Sequence, residues 1–207
     1  MKKIVDNFLQ ISNFLFLNEE NRLAEDEFYF LQVLVRGKDG NKVSGNNKNR
    51  LVKFYRVRTA DELMSFKDEI VALCRVTNGR AYINPTPRNY KNVANLVLED
   101  TVRTFISQNY AGLPSMYPTA CGKSYVKEKR FYIVDLDNVD INDPNSTKVY
   151  RDYINEECNG EVKALVPTKS GCHLICKKFN TKKFNDKFPC IDVHKNNPTL
   201  LYFETRD

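Results

Sequence analysis

Apolar positions along this chain switch between a period of two and one of about 3.6, and the switches divide it into strands and helices. Asp6 to Phe16 carries helical spacing, and Glu27 to Arg36 is rich in β-forming residues and reads as a strand. Residues 37–47 are dense in Gly and Asn, the signature of a long loop, and Leu51 to Val57 reads as the returning strand. Thr59 and Glu62 have the spacing of a capping box, followed by Leu63, Phe66, Ile70, Leu73 and Cys74 at helical intervals. Arg80 to Asn84 is a short strand halted by Pro85 and Pro87. Asn89 opens a helix whose apolar positions Val93, Leu96, Val97, Val102, Phe105 and Ile106 run to about Tyr110.

Gly112 to Lys129, with Pro114, Pro118 and Gly122, reads as a connector. Beyond it come a strand Phe131 to Asp137, a helix Lys148 to Cys158, strands Glu161 to Val166 and His173 to Cys176, a second helical stretch, a short strand carrying Asp192 within Phe188 to Lys195, and an apolar strand Thr199 to Phe203. Strand, helix, strand, strand, helix, strand is how a ferredoxin-like or RRM-like module reads. The expected fold class is therefore mixed α/β of the α+β kind. An N-terminal α/β portion (1–112) and a connector (113–129) lead to an RRM-like module (130–207), all packed as one compact body. At 207 residues the chain is long enough to bury a substantial core.

Composition narrows the setting. The net charge of +6 permits binding to nucleic acid without requiring it. Its distribution matters more. Arg36, Lys38, Lys42, Lys48, Arg50, Lys53, Arg56 and Arg58 crowd one hairpin-like region, and Lys177, Lys178, Lys182, Lys183 and Lys187 crowd another. Each reads either as a solvated face or as a set of phosphate contacts whose affinity falls with salt. Arg80, Arg88 and Tyr90 stand around the Pro-x-Pro turn, where they either contact a single strand or cap a helix and cover an apolar edge. Six scattered cysteines and an N-terminal stretch interrupted by Asp6, Asn7, Gln10 and Asn13 point to free thiols and no secretory signal. No apolar run approaches the ~18 residues that span a bilayer. A cytoplasmic protein without membrane contact is expected, and the abundance of Asn and Lys fits an AT-rich, phage-like genome expressed in a host cytoplasm.

The candidate chemistry lies in the second half. Phe131-Tyr132-Ile133-Val134-Asp135-Leu136-Asp137 is an apolar strand ending in two carboxylates one residue apart, so both project from the same face. Paired carboxylates repel unless a cation stands between them, and hard oxygen ligands suit Mg²⁺ or Mn²⁺. The plainer reading is a strand end running into the turn Asn138-Val139-Asp140. Further on, Thr168-Lys169-Ser170-Gly171 offers backbone N–H groups, hydroxyls and an ammonium suited to a phosphate chain, with His173 at its mouth. A third carboxylate, Asp192, follows Ile191, and His194 stands two residues on.

This order of motifs resembles the archaeo-eukaryotic primase superfamily, the primase-polymerases. Asp135 and Asp137 match its Asp-x-Asp strand, Ser170-Gly171-Cys172-His173 its Ser-Gly-x-His turn, and Ile191-Asp192 its late hydrophobic-Asp. The resemblance covers roughly Phe131 to Phe203 and implies nucleotidyl transfer from a nucleoside triphosphate on a single-stranded or primed nucleic acid. It implies that Asp135, Asp137 and Asp192 are catalytic and hold Mg²⁺ or Mn²⁺, and that Ser170 and His173 bind the nucleotide. Lys169 balances triphosphate charge in this reading, with Arg80, Arg88 and Lys177 as nucleic-acid contacts. It assigns His194 no role. A replication partner such as a helicase stays open. The chain departs from the family in one respect: it has no Cys-x2-Cys, so the zinc element common in primases is not expected. Two other classes remain: a non-catalytic protein holding a nucleotide or single strand, and a nuclease using the same carboxylates.

Overall fold

The computed structural model describes residues 3–39 and 49–205. Most of the Gly- and Asn-rich loop, with Lys42 and Lys48, lies outside them. The elements in chain order are β1 (Ile4–Asp6), α1 (Phe8–Phe16), β2 (Glu27–Arg36), β3 (Asn49–Val57), α2 (Ala60–Ser65), α3 (Lys67–Thr77), β4 (Arg80–Ile83), β5 (Arg88–Asn89), α4 (Tyr90–Ser107), α5 (Met116–Lys123), β6 (Tyr132–Asp137), α6 (Pro144–Asp152), β7 (Val162–Pro167), β8 (Gly171–Cys176), α7 (Thr181–Lys187), β9 (Asp192–His194) and β10 (Thr199–Glu204). They form the expected α+β fold with two antiparallel sheets.

The second sheet has the order β7-β8-β6-β9, with α6 between β6 and β7 and α7 between β8 and β9. That is the split βαβ arrangement of a ferredoxin-like module. Period-two alternation sorts its two faces. Tyr132, Val134 and Leu136 of β6 join Cys172, Leu174 and Cys176 of β8 in a core closed by Ile154, Phe179 and Phe184. Ile133, Asp135 and Asp137 are left on the other face.

The first sheet has the order β1-β10-β4-β2-β3, with β5 paired to the start of β2. Its strand β10, last in sequence, does not add to the second sheet but inserts between β1 and β4. One face carries Tyr29, Leu31, Val33, Ala81, Ile83 and Leu201 against Phe8, Ile11 and Leu15 of α1 and Leu63, Ile70 and Cys74 of α2 and α3. Phe131, Val166 and Ile175 of the motif-bearing half join this same core, so the two halves share an apolar interior. On the other face, the first half of β2 buries Phe28 and Phe30 under Val93 of α4 and Ala120 of α5. The second half of β2 continues past those helices as Leu34 and Arg36, and the exposed face it leaves becomes one wall of a cleft. A bulge between Leu200 and Tyr202 shifts the phase of β10, so that Leu200 and Phe203 both pack with Tyr82 on this wall.

Several local readings change. Residues 4–6 pair with 202–204 as a strand, and the first helix starts after Asn7 instead of at Asp6. The stretch read as connector contains a 3₁₀ turn and α5. Pro118 is tolerated there because it sits in the first turn of α5, where N–H groups have no partner within the helix. The helix expected from Lys148 begins earlier, at Pro144, behind an Asp143 side chain that accepts from Asn145 N. Thr59 Oγ1 does accept from Glu62 N, while the Glu62 carboxylate reaches the N–H of Arg58 rather than that of the cap itself.

Candidate functional site

The cleft between the two sheets has a volume of about 560 Å³, a size that accommodates a small molecule. The second sheet contributes Ile133, Asp135, Asp137, His173, Asp192 and His194, the β7–β8 turn contributes Thr168, Lys169 and Ser170, and the first sheet contributes Leu34, Arg36, Arg80, Tyr82 and Leu200. The three motifs therefore meet.

Strand register explains the meeting. Asp192 of β9, Asp135 of β6 and His173 of β8 are partners in one row across the sheet. Side chains directly opposite on neighbouring strands have Cβ atoms about 4.5–5.5 Å apart. One step along β6, Asp137 is opposite Gly171. A Cβ on Gly171 would lie 2.0 Å from the carbonyl oxygen of Leu136, so only glycine lets the turn close onto the end of β6. That closure sets the Ser170 hydroxyl against Asp137 Oδ1 at 2.5 Å, and Asn138 N bonds the Ser170 carbonyl at 2.7 Å.

His173 is held from both sides. Its Nε2 stands 3.4 Å from Asp135 Oδ1, and its Nδ1 shares a 2.9 Å hydrogen bond with Oγ1 of Thr199, a buried residue of β10. The hydrogen bond with His173, and then its charge with those of His194 and Arg36, hold the Asp135 carboxyl below the usual carboxylate range despite burial. Asp137 and Asp192 are exposed to the cleft. On the other wall, Arg36 donates to the Tyr82 hydroxyl at 3.0 Å.

The oxygen-only donor set of Asp135, Asp137 and Asp192 fits Mg²⁺ or Mn²⁺ in kind. Among the described residues, no group of three or more His, Cys, Asp or Glu side chains stands close enough together to hold an ion as it is. Cys172 and Cys176 face the opposite core, where burial pushes their thiols up to about 11 and about 12, so they remain protonated at neutral pH.

The residues just described that were named from sequence as candidates or neighbours of candidates include Asp135, Asp137, Asp192, Thr168, Lys169, Ser170, His173, His194, Arg36 and Arg80. Two other candidates lie elsewhere. Arg88 is fully buried, with Nη1 donating to the Thr86 carbonyl and with Nε and Nη2 lacking a hydrogen-bond partner among the described residues. Burial lowers its pKa to about 10. It presents no surface to a nucleic acid, because the β5 pairing with β2 turns it into the interior. Lys177 follows the far end of β8, beside Tyr132 and away from Asp137, and is paired with Glu20 at 3.0 Å and Glu161 at 3.4 Å. The sequence reading missed Tyr82 and Asn197 as cleft residues and Thr199 as the buried partner of His173, and no local motif marks them, since only the placement of β4, of β10 and of the turn before β10 brings them there.

Comparison with known proteins returns nothing similar: no family model matches, and neither a curated protein nor a solved structure does. Among the described residues, no helix is long and apolar enough to cross a membrane.

Proposed function

We propose that this chain is a metal-dependent nucleotidyltransferase of primase-polymerase type, acting on nucleoside triphosphates and a nucleic-acid template. The observation that carries the reading is that Asp135, Asp137, Ser170, His173 and Asp192, from three separate stretches of sequence, line one cleft on one face of a sheet. Asp135, Asp137 and Asp192 would hold Mg²⁺ or Mn²⁺, which when bound acidifies an attacking hydroxyl and offsets charge on a pyrophosphate leaving group. The remaining work falls to positioning. Ser170, fixed by the Gly171 turn, and His173, fixed by Thr199, present donors to a triphosphate. Arg80 and Lys169 bring positive charge from opposite walls. The apolar residues Ile133, Leu34 and Leu200 give the cleft a dry patch suited to a nucleobase or sugar face.

The test is incorporation of labelled nucleotide on a primed template with Mn²⁺ or Mg²⁺. Activity is expected in the wild type and is expected to fall at least a hundredfold in Asp135→Ala and Asp137→Ala. Nucleotide or single-strand binding without turnover would favour the non-catalytic alternative, and shortened products would favour a nuclease.

A further inference from the structure

Arg80 and Lys169 reach the cleft from opposite sides, Arg80 from β4 and Lys169 from the turn between β7 and β8. Both are engaged by one carboxylate, Asp39, in the short 3₁₀ turn Gly37–Asp39 that follows β2. Arg80 grips it with two nitrogens: Nε stands 2.8 Å from Oδ2, and Nη2 bonds Oδ1. Lys169 Nζ lies 3.3 Å from the same Oδ1. The Arg80 and Asp39 side chains are 10% and 9% exposed, so this is a largely desolvated contact.

A guanidinium fork closing on two oxygens, with an ammonium beside it, is an arrangement that serves phosphate as well as carboxylate. Two cations face one anion here, which leaves the seat with surplus positive charge. The cations are also placed by contacts other than Asp39. The Phe203 ring lies 4.7 Å from the Arg80 guanidinium carbon and 5.4 Å from Lys169 Nζ, and the Lys169 carbonyl accepts from Lys3 Nζ at 2.5 Å. A seat held in this way keeps its shape when its anion is exchanged.

We propose that Asp39 is an internal stand-in for phosphate: its carboxylate fills an anion seat formed by Arg80 and Lys169, and a nucleoside triphosphate takes the seat by displacing it. The identity of the ligand rests on the function proposed above, whereas the seat rests on the contacts themselves. Asp39 then acts as a built-in competitor that weakens binding of any polyphosphate. It also keeps a buried Arg80 from standing unpaired when the cleft is empty, since an uncompensated buried charge is strongly unfavourable.

The experiment is titration calorimetry of the full chain with sodium tripolyphosphate, without metal, alongside thermal melts. Asp39→Asn is expected to bind tripolyphosphate at least fivefold more tightly than wild type and to gain a larger melting shift from it. Lys169→Gln, at a half-exposed position, is expected to bind at least fivefold more weakly. A folded Asp39→Asn with equal or weaker affinity overturns the proposal. If Asp39→Asn does not fold in plain buffer, tripolyphosphate must restore its melting transition, and failure to do so overturns the proposal equally. A single-stranded oligonucleotide bound more tightly by Asp39→Asn, with tripolyphosphate affinity unchanged, also overturns it, because the seat would then serve a strand backbone. Because no turnover is measured, a tightened tripolyphosphate affinity in a chain that never incorporates nucleotide sustains the seat while removing the enzyme.

Discussion

Asn138 holds a φ of 59° directly after Asp137, in the left-handed region that Asn tolerates better than most residues. A β-branched side chain there costs about 1–2 kcal/mol, so Asn138→Val is expected to lower the unfolding free energy by that amount in urea titrations, with Asn138→Gly near wild type. Arg88 presents the opposite case. Its guanidinium is buried with donors unmet among the described residues, and replacing a buried charge by an apolar group of similar shape is often neutral or stabilising. Arg88→Met is expected to melt at or above the wild-type temperature, and a large loss would show that Arg88 has an unrecognised partner.

Two carboxylates also set the acid limb of stability. The hydrogen bond with His173 holds the Asp135 carboxyl below the usual range. At Asp39 burial is the largest single influence and pushes upward, but Arg80 and Lys169 together outweigh it and the net direction is down. A depressed folded-state pKa contributes stability that is present above the unfolded value near 4 and lost as pH falls through the folded value. Asp135→Asn is therefore expected to lose less stability than wild type as pH falls from about 5 through the folded-state value in acid-unfolding curves. At this scale the sequence was legible where chemistry follows local period. Asp135 and Asp137 share a face because they are two residues apart on a strand. Asp39 and Thr199 were not legible, because each acquires its partner from a residue remote in the chain.

Among the elements, the β7–β8 turn does most to arrange the site, and Gly171 is its constraint. An added methyl meets the Leu136 carbonyl, so Gly171→Ala is expected to push the turn off β6. Near-wild-type far-UV dichroism should accompany loss of whatever binding or turnover the cleft shows, and retention of full activity would mean that Ser170 need not sit against Asp137. The succession of strands and helices in the second sheet could be read because helical stretches separate β6 from β7 and β8 from β9, while a short polar turn separates β7 from β8. The helix α5 could not, since Pro114, Pro118 and Gly122 carry the usual marks of a loop. Proline in a first helical turn costs no hydrogen bond, which is why those marks mislead. The three-residue β1 was missed for another reason: it is a strand only because β10 is available to pair with it.

For the molecule as a whole, the decisive feature is that neither sheet owns the cleft. The carboxylates and His173 stand on one wall, while Arg36, Arg80 and Tyr82 stand on the other. The basic clusters read from sequence are partly neutralised, with Lys53 paired to Glu69, Lys177 to Glu20 and Glu161, and Lys183 to Glu157. Surface pairs of this kind are weak and open to competition.

The pairing of Ile4 with Glu204, reinforced by Lys3 N donating to Thr205 Oγ1 at 2.8 Å, makes the first sheet a closure between the two extremes of the described chain. Contacts separated by so much sequence form late and slowly. A ribosome must deliver Glu204 before β1 finds its neighbour and before Thr199 can steady the imidazole of His173. A polypeptide truncated after residue 195 should accordingly carry a finished four-stranded sheet facing an incomplete wall, and the pocket comes into being only with the closing strand.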